Sequence, residues 1–174
     1  MLSVVKNKAV TLLELILVMI VLCTVLAMAA PSLRGFFSSR EISDTSYTIA
    51  ALMNYASNQA ITQSNYYRFN YNTENQQYWL THLEDGQYEI LKNEYGKKHE
   101  VSKDIKVYLL DWIRAEGFYC VEFSPLGHKT TGRMRLINPQ ENMVDIICLS
   151  STEAYQVIEY KEKSNEVRYE KQQN

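Results

Sequence analysis

The sequence VTLLELILVMIVLCTVLAMAA, residues 10–30, decides how the rest of the chain is interpreted. It is a run of 21 residues with a single charged side chain, Glu14. As a helix it would be about 32 Å long, enough to cross the hydrocarbon core of a bilayer. A charge in such a run costs about 2.5–3.5 kcal/mol at the helix centre and less near an end. A plain anchor does not need this carboxylate, so Glu14 indicates that the helix later meets a positive partner in apolar surroundings.

The residues before the run orient it and leave three interpretations open. Lys6 and Lys8 are the only charged side chains there, and positive flanks stay in the cytoplasm. Residues 1–9 should therefore be cytoplasmic and the chain after the run extracytoplasmic. This beginning fits an uncleaved anchor, a pilin-type leader or an ordinary secretory signal, for which Ala27-Met28-Ala29 offers a cleavage site. The long apolar core and its carboxylate are atypical of an ordinary signal.

The string Lys8-Ala9-Val10-Thr11-Leu12-Leu13-Glu14 resembles the processing and methylation motif of type IV pilins and type II secretion pseudopilins. In that family a prepilin peptidase cuts before the apolar run, and the new N-terminus is methylated. The resemblance implies cleavage between Ala9 and Val10, a methylated Val10, and Glu14 as the fifth mature residue. Pro31 would be the twenty-second, where many pilins also carry proline. Ala9 and Val10 stand where Gly and Phe are commoner.

The resemblance also implies an assembly role for Glu14. Cleavage would create a cationic amine at Val10, and staggered helices in a filament can place this amine beside Glu14 of a neighbouring subunit. Burying either charge alone is costly, whereas pairing them offsets much of the penalty. Glu14 would then set the register between subunits. The alternative is a carboxylate that snorkels to the lipid interface without a partner.

The helix is predicted to continue beyond the apolar run. Pro31 removes one helical hydrogen bond and should kink the helix rather than end it. From Ile42 to Ala60 the apolar residues recur at steps near three, four or seven, which is helical spacing. We therefore predict an amphipathic helix over residues 31–63 that lays one face on a folded domain.

The composition changes near Asn65, where tyrosines, β-branched residues and turn formers become frequent. Hairpin turns are predicted at Asn72-Thr73-Glu74-Asn75 and at Asp85-Gly86. The predicted strands are Tyr66–Tyr71, Gln77–His82, Tyr88–Leu91, Ile105–Leu109, Gly117–Phe123, Arg133–Ile137, Val144–Leu149 and Val157–Tyr160. Short, closely spaced strands of this kind are typical of an antiparallel sheet.

These elements define the domains and the fold class. A leader (1–9) and a transmembrane helix (10–30) precede the amphipathic helix, a β-rich head covers residues 64–160, and a polar tail follows over 161–174. The tail either carries an edge strand at Val167–Tyr169 or is disordered. The predicted class is α+β: a long N-terminal transmembrane helix continues into an amphipathic helix packed on antiparallel β-sheet, as in pilins.

A turn in the head makes the resemblance to pilins more specific. Phe123-Ser124-Pro125-Leu126-Gly127, followed by further predicted strands, resembles the turn before the final strands of H-type minor pseudopilins and FimT-like minor pilins. A tight turn is sound there because Pro125 fixes one φ and Gly127 can take a positive φ. The resemblance implies a minor subunit of a type II secretion pseudopilus or a type IV pilus.

The implied partners are other pilin or pseudopilin subunits, the prepilin peptidase and methyltransferase, and inner-membrane lipid. The implied location is the bacterial inner membrane, with the N-terminus in the cytoplasm and the head outside, before incorporation into a filament. A tip position and a shaft position are both left open by the sequence.

The sequence contains no catalytic constellation, so we expect no enzymatic activity and no cofactor. His82, His99 and His128 lack the spacing of a metal site and are expected at the surface. Cys120 and Cys148 lie on separate predicted strands. They could form a disulfide if their Cα atoms came within about 7 Å, or remain two buried thiols.

A basic segment favours a second class of function. Gly132-Arg133-Met134-Arg135 matches a Gly-Arg-x-Arg motif of some FimT-like minor pilins implicated in DNA uptake, and Lys129 lies just before it. Lys129, Arg133 and Arg135 could contact phosphates. However, the net charge of the chain is −2, and two further strands follow the motif. A solvated hairpin loop is the competing interpretation, and DNA is not expected as a partner.

Overall fold

The computed structural model describes the backbone of residues 11–160, with all side chains in that range except those of residues 29–34. Residues 1–10 and 161–174 lie outside the described part, and with them the cleavage site and the predicted edge strand Val167–Tyr169. The described chain forms one long α-helix, a short 3-10 helix (Glu94–Gly96) and ten strands. It divides after Phe37 into two compact units.

The first unit contains the beginning of helix α1 (Leu12–Thr62). The helix backbone continues through Pro31, so the proline does not end the helix, and the kink at this position stays a prediction. From Leu12 to Met28 every large apolar side chain is exposed, by 46% to 80%. Among the described residues, no helix is long and apolar enough to cross a membrane, and the transmembrane helix predicted over 10–30 is not supported.

The second unit begins at Ser38 and contains the rest of α1 with all ten strands. One face of this part of α1 is buried at alternating steps of four and three residues. Its side chains, each at most 1% exposed, are Ile42, Ser46, Ile49, Met53, Ala56 and Ala60. The hydroxyl of Ser46 donates a hydrogen bond to the carbonyl of Ile42 at 2.7 Å, so its burial leaves no unpaired donor. The predicted amphipathic helix is confirmed here.

The strands form two antiparallel sheets. The first has the order β3-β2-β1-β7-β6, with β4 also paired to β2, and the second has the order β10-β9-β8-β5. The strands are β1 (Tyr67–Asn72), β2 (Gln77–Glu84), β3 (Gln87–Ile90), β4 (His99–Glu100), β5 (Lys106–Leu110), β6 (Ile113–Ala115), β7 (Phe118–Phe123), β8 (Gly132–Ile137), β9 (Met143–Cys148) and β10 (Gln156–Tyr160). All eight predicted strands are present, with ends shifted by at most two residues.

The predicted turns are present as well. Asp85 and Gly86 join β2 to β3 with φ of 50° and 82°, the conformation of a two-residue hairpin turn. Ser124 accepts a hydrogen bond from the N–H of Gly127 at 3.1 Å, and Gly127 has φ +81°. Short β4 and β6 were missed because two or three residues are too few to show an alternation.

The core of the head joins helix and sheets in one cluster. The buried face of α1 shares it with fully buried side chains of the first sheet, such as Phe69 and Leu80, and of the second, such as Met134 and Ile146. The α+β class with a helix on antiparallel sheet is therefore confirmed. Burial of this apolar surface is the main stabilising term of such a head.

Side-chain hydrogen bonds also tie α1 to loops of the head. Asn54 donates to the carbonyl of Tyr155 at 3.1 Å and accepts from its N–H at 2.9 Å. Asn142, in the β8–β9 turn, donates to the hydroxyl of Ser39 at 2.9 Å. The two hydrogen bonds from Asn54 satisfy the N–H and the C=O of Tyr155. Tyr155 is a buried loop residue, so these peptide groups have no partner in a sheet.

Replacing Asn54 with alanine should lower the free energy of unfolding by about 1–3 kcal/mol, because the peptide N–H and C=O of Tyr155 lose their partners. Urea denaturation of the full chain in a mild detergent measures the loss. Asn58→Ala is the matched control, since Asn58 is exposed on the same helix and undergoes the same gain in helix propensity. Equal stability of the two variants would contradict the role of Asn54.

Candidate functional site

The first turn of α1 contains Glu14 and a cap that the sequence interpretation overlooked. The side-chain oxygen of Thr11 accepts a hydrogen bond from the N–H of Glu14, and its carbonyl accepts from the N–H of Leu15, both at 3.2 Å. Thr-x-x-Glu is the pattern of a capping box, so this signal was visible in the sequence. A carboxylate in the first turn is also favoured by the helix dipole, by about 0.3–1 kcal/mol.

The cap does not use the Glu14 side chain as a donor or acceptor. Within residues 11–160, the carboxylate has no hydrogen bond or ion pair, while its backbone N–H is the group that Thr11 satisfies. The apolar side chains around it are exposed on every face of the helix, Leu13 by 76% and Ile16 by 52%. The first unit thus presents an apolar cylinder with one unpaired carboxylate near its beginning.

The Gly132–Arg135 segment forms part of β8, where Arg135 lies directly opposite Asp145 of β9. The Arg135 guanidinium donates from Nε to Oδ1 at 2.7 Å and from Nη2 to Oδ2 at 2.8 Å. Tyr160 adds a hydrogen bond to Oδ2 at 3.2 Å. Asp145 is completely buried, and its hydrogen bonds raise the pKa of Arg135. Arg135 is therefore held in a bidentate pair, the strongest geometry for this kind of contact.

The other two candidate phosphate contacts lie in different surroundings. Nε of Arg133 is 3.7 Å from Oδ2 of Asp145, and the Arg133 side chain is 43% exposed. Nζ of Lys129 donates to the hydroxyl of Ser57 on α1 at 3.1 Å, and burial lowers the pKa of Lys129. Strand alternation puts both arginines on the face of β8 away from the core, whereas Lys129 faces the helix. The three cations do not form one open basic patch.

The cysteines of the head are two free, buried thiols on different sheets. Cys120 belongs to β7 of the first sheet and Cys148 to β9 of the second. Burial raises the pKa of both thiols, which makes them poor nucleophiles. Sγ of Cys148 donates to the carbonyl of Ser150 at 3.0 Å. Of the two alternatives left open by the sequence, the structure contains the free thiols.

Two of the three histidines make local side-chain contacts. Half-buried His99 stacks on Tyr78 with ring centroids 5.3 Å apart, and Nε2 of His82 lies 3.4 Å from Glu84, whereas His128 is exposed. The prediction of a surface position thus holds fully for His128 alone. In the described part of the chain no group of three His, Cys, Asp or Glu side chains could hold a metal ion.

No protein-family model matches this chain, and no curated protein matches it. A solved structure does: the minor pseudopilin EpsH from the Type 2 Secretion System of Vibrio cholerae. The two share 6% identity and superpose with a TM-score of 0.59, over 68% of this chain and 97% of that chain. The chain has a pilin-like fold. At this identity the likeness shows the fold alone, and it agrees with the expected pilin-like class.

Proposed function

We propose that the chain is a minor pilin or pseudopilin subunit, with no enzymatic activity of its own, that assembles through its N-terminal helix into a filament of a type II secretion or type IV pilus system. The observation that carries the proposal is the exposed apolar segment of α1 from Leu12 to Met28, which precedes a pilin-like head in the chain. Neither feature alone distinguishes a filament subunit from other proteins.

The distribution of apolar surface favours many partners over one. The exposed side chains lie all around the helix, and a helix that is apolar on every face is normally buried on every face. A single docking partner covers one face, whereas a bundle of helices from other subunits surrounds it. Before assembly, inner-membrane lipid would cover the same apolar surface.

The unpaired carboxylate supports a specific contact in that bundle. Because Thr11 caps the helix through the backbone of Glu14, the Glu14 side chain is free to pair with another subunit. Removal of residues 1–9 would expose the Val10 amine, and this amine on a neighbouring subunit is the proposed partner. Two opposite charges in apolar surroundings stabilise each other only when they meet, which makes the contact selective for one register.

The N-terminus of the cellular protein tests the proposal. We expect intact-mass and peptide mass spectrometry of the chain, isolated from cells that contain a prepilin peptidase, to show a start at Val10 with one added methyl group. Cells without the peptidase are the control and should retain residues 1–9. A start at Ala30 would instead support a secreted protein with an ordinary signal, and retention of residues 1–9 in both strains would contradict the pilin proposal.

A further inference from the structure

We propose that the head also binds an extended polypeptide segment in which an apolar side chain lies beside a carboxylate. The site is a surface cavity of about 420 Å³ where the end of β5 meets the start of β8 and the end of β9. This inference goes beyond the function proposed above and does not depend on it, because it uses residues of the head alone.

The strand register builds a cavity of mixed polarity in which apolar side chains lie beside a cation. Leu110 of β5 lies opposite Arg133 of β8, and Arg133 lies opposite Ile147 of β9. Ile147 is only 7% exposed and forms a buried floor, while Leu110 and Leu149 are 46% and 70% exposed at the walls. Exposed leucines around a buried apolar floor are the pattern of a surface that receives a side chain.

Arg133 can bind a carboxylate in the cavity, while the other charged lining residue, Asp111, is exposed to solvent. Arg133 contacts Asp145 only at 3.7 Å, since both oxygens of Asp145 already accept short hydrogen bonds from Arg135. No other acidic side chain among residues 11–160 lies within ion-pair distance of Arg133. Its guanidinium therefore retains donors at the rim of the cavity, where an incoming carboxylate can accept from two of them.

Two further observations favour a polypeptide over another apolar acid. Asp111 also lines the cavity, and a peptide segment offers N–H donors to Asp111 together with a carboxylate for Arg133. In addition, β5 is an edge of the second sheet, paired on one side with β8 and with no other described strand on its free side. An extended segment can add main-chain hydrogen bonds along such an edge while one side chain enters the adjacent cavity.

Three small probes share a leucine side chain and differ in charge, so they test whether Arg133 binds a carboxylate. The full chain in dodecyl maltoside micelles, with labelled leucine and isoleucine methyl groups, is titrated by NMR with N-acetyl-leucine, N-acetyl-leucinamide and leucinamide. We expect N-acetyl-leucine to shift the methyl signals of Leu110, Ile147 and Leu149 and to bind most tightly. N-acetyl-leucinamide and leucinamide should both bind more weakly, because neither offers a carboxylate to Arg133.

Arg133→Gln should weaken binding of N-acetyl-leucine about tenfold, the loss of roughly one charge-assisted contact, without changing the signals of the core. Arg114→Gln is the matched control, because Arg114 is an exposed arginine of β6 that packs on Tyr119 outside the cavity. Equal binding of the three probes, tightest binding of leucinamide, undiminished binding to Arg133→Gln, or no shift of the three methyl groups would each overturn the proposal.

Discussion

Arg135→Ala is expected to lower the free energy of unfolding by about 3 kcal/mol, the lower end of the range for breaking a buried ion pair. Asp145 is completely buried in the wild type, and the variant removes its two shortest hydrogen bonds. Arg133 at 3.7 Å and the hydroxyl of Tyr160 at 3.2 Å compensate in part, which keeps the loss near the lower end. Urea denaturation of the full chain in mild detergent, followed by far-UV circular dichroism, measures it.

Two comparisons make this expectation specific. Arg114→Ala, at an exposed arginine of β6, should change stability by less than about 0.5 kcal/mol. Replacing Arg135 and Asp145 together by apolar residues of similar size should cost less than Arg135→Ala alone, since no buried charge is then left unpaired. If Arg135→Ala were as stable as Arg114→Ala, Arg135 would be a solvated cation, as the DNA-contact interpretation requires.

Glu14→Gln is expected to reduce incorporation into filaments about tenfold or more, because glutamine cannot neutralise the ammonium group of a neighbouring Val10 in apolar surroundings. Cleavage between Ala9 and Val10 should proceed as in the wild type. The measurement is the ratio of this subunit in sheared filaments to that in the membrane fraction, by quantitative immunoblotting, alongside the N-terminal mass.

Thr11→Ala separates this role from that of the helix cap. The substitution removes the oxygen that accepts from the N–H of Glu14 and should cost about 0.5–2 kcal/mol of local helix stability, while the carboxylate remains. We therefore expect Thr11→Ala to assemble far better than Glu14→Gln. Equal incorporation of the two variants, or wild-type incorporation of Glu14→Gln, would mean that Glu14 acts only within its own helix.

Much of the head was predictable because its signals are local. A buried face with helical spacing, as at Ile49 and Met53, specifies an amphipathic helix by itself, and Asp85-Gly86 specifies a two-residue turn because both positions require positive φ. The Thr11 cap was equally local and could have been found from its pattern. The short strands β4 and β6 could not, since their pairing comes from neighbours rather than from their own residues.

The amino-acid sequence alone determined the apolar N-terminal run with its one carboxylate, the helix and strand order, and the α+β class, because periodicity and turn chemistry act over a few residues. Only the tertiary structure decided what Arg135, Lys129 and Asn54 do. Asn54 meets Tyr155 across 101 positions, and Arg135 meets Asp145 through strand register. Such contacts depend on which strands pair and which face is buried, and no local pattern encodes that choice. A motif that suggested phosphate binding thus became one half of an internal ion pair once its strand had a partner.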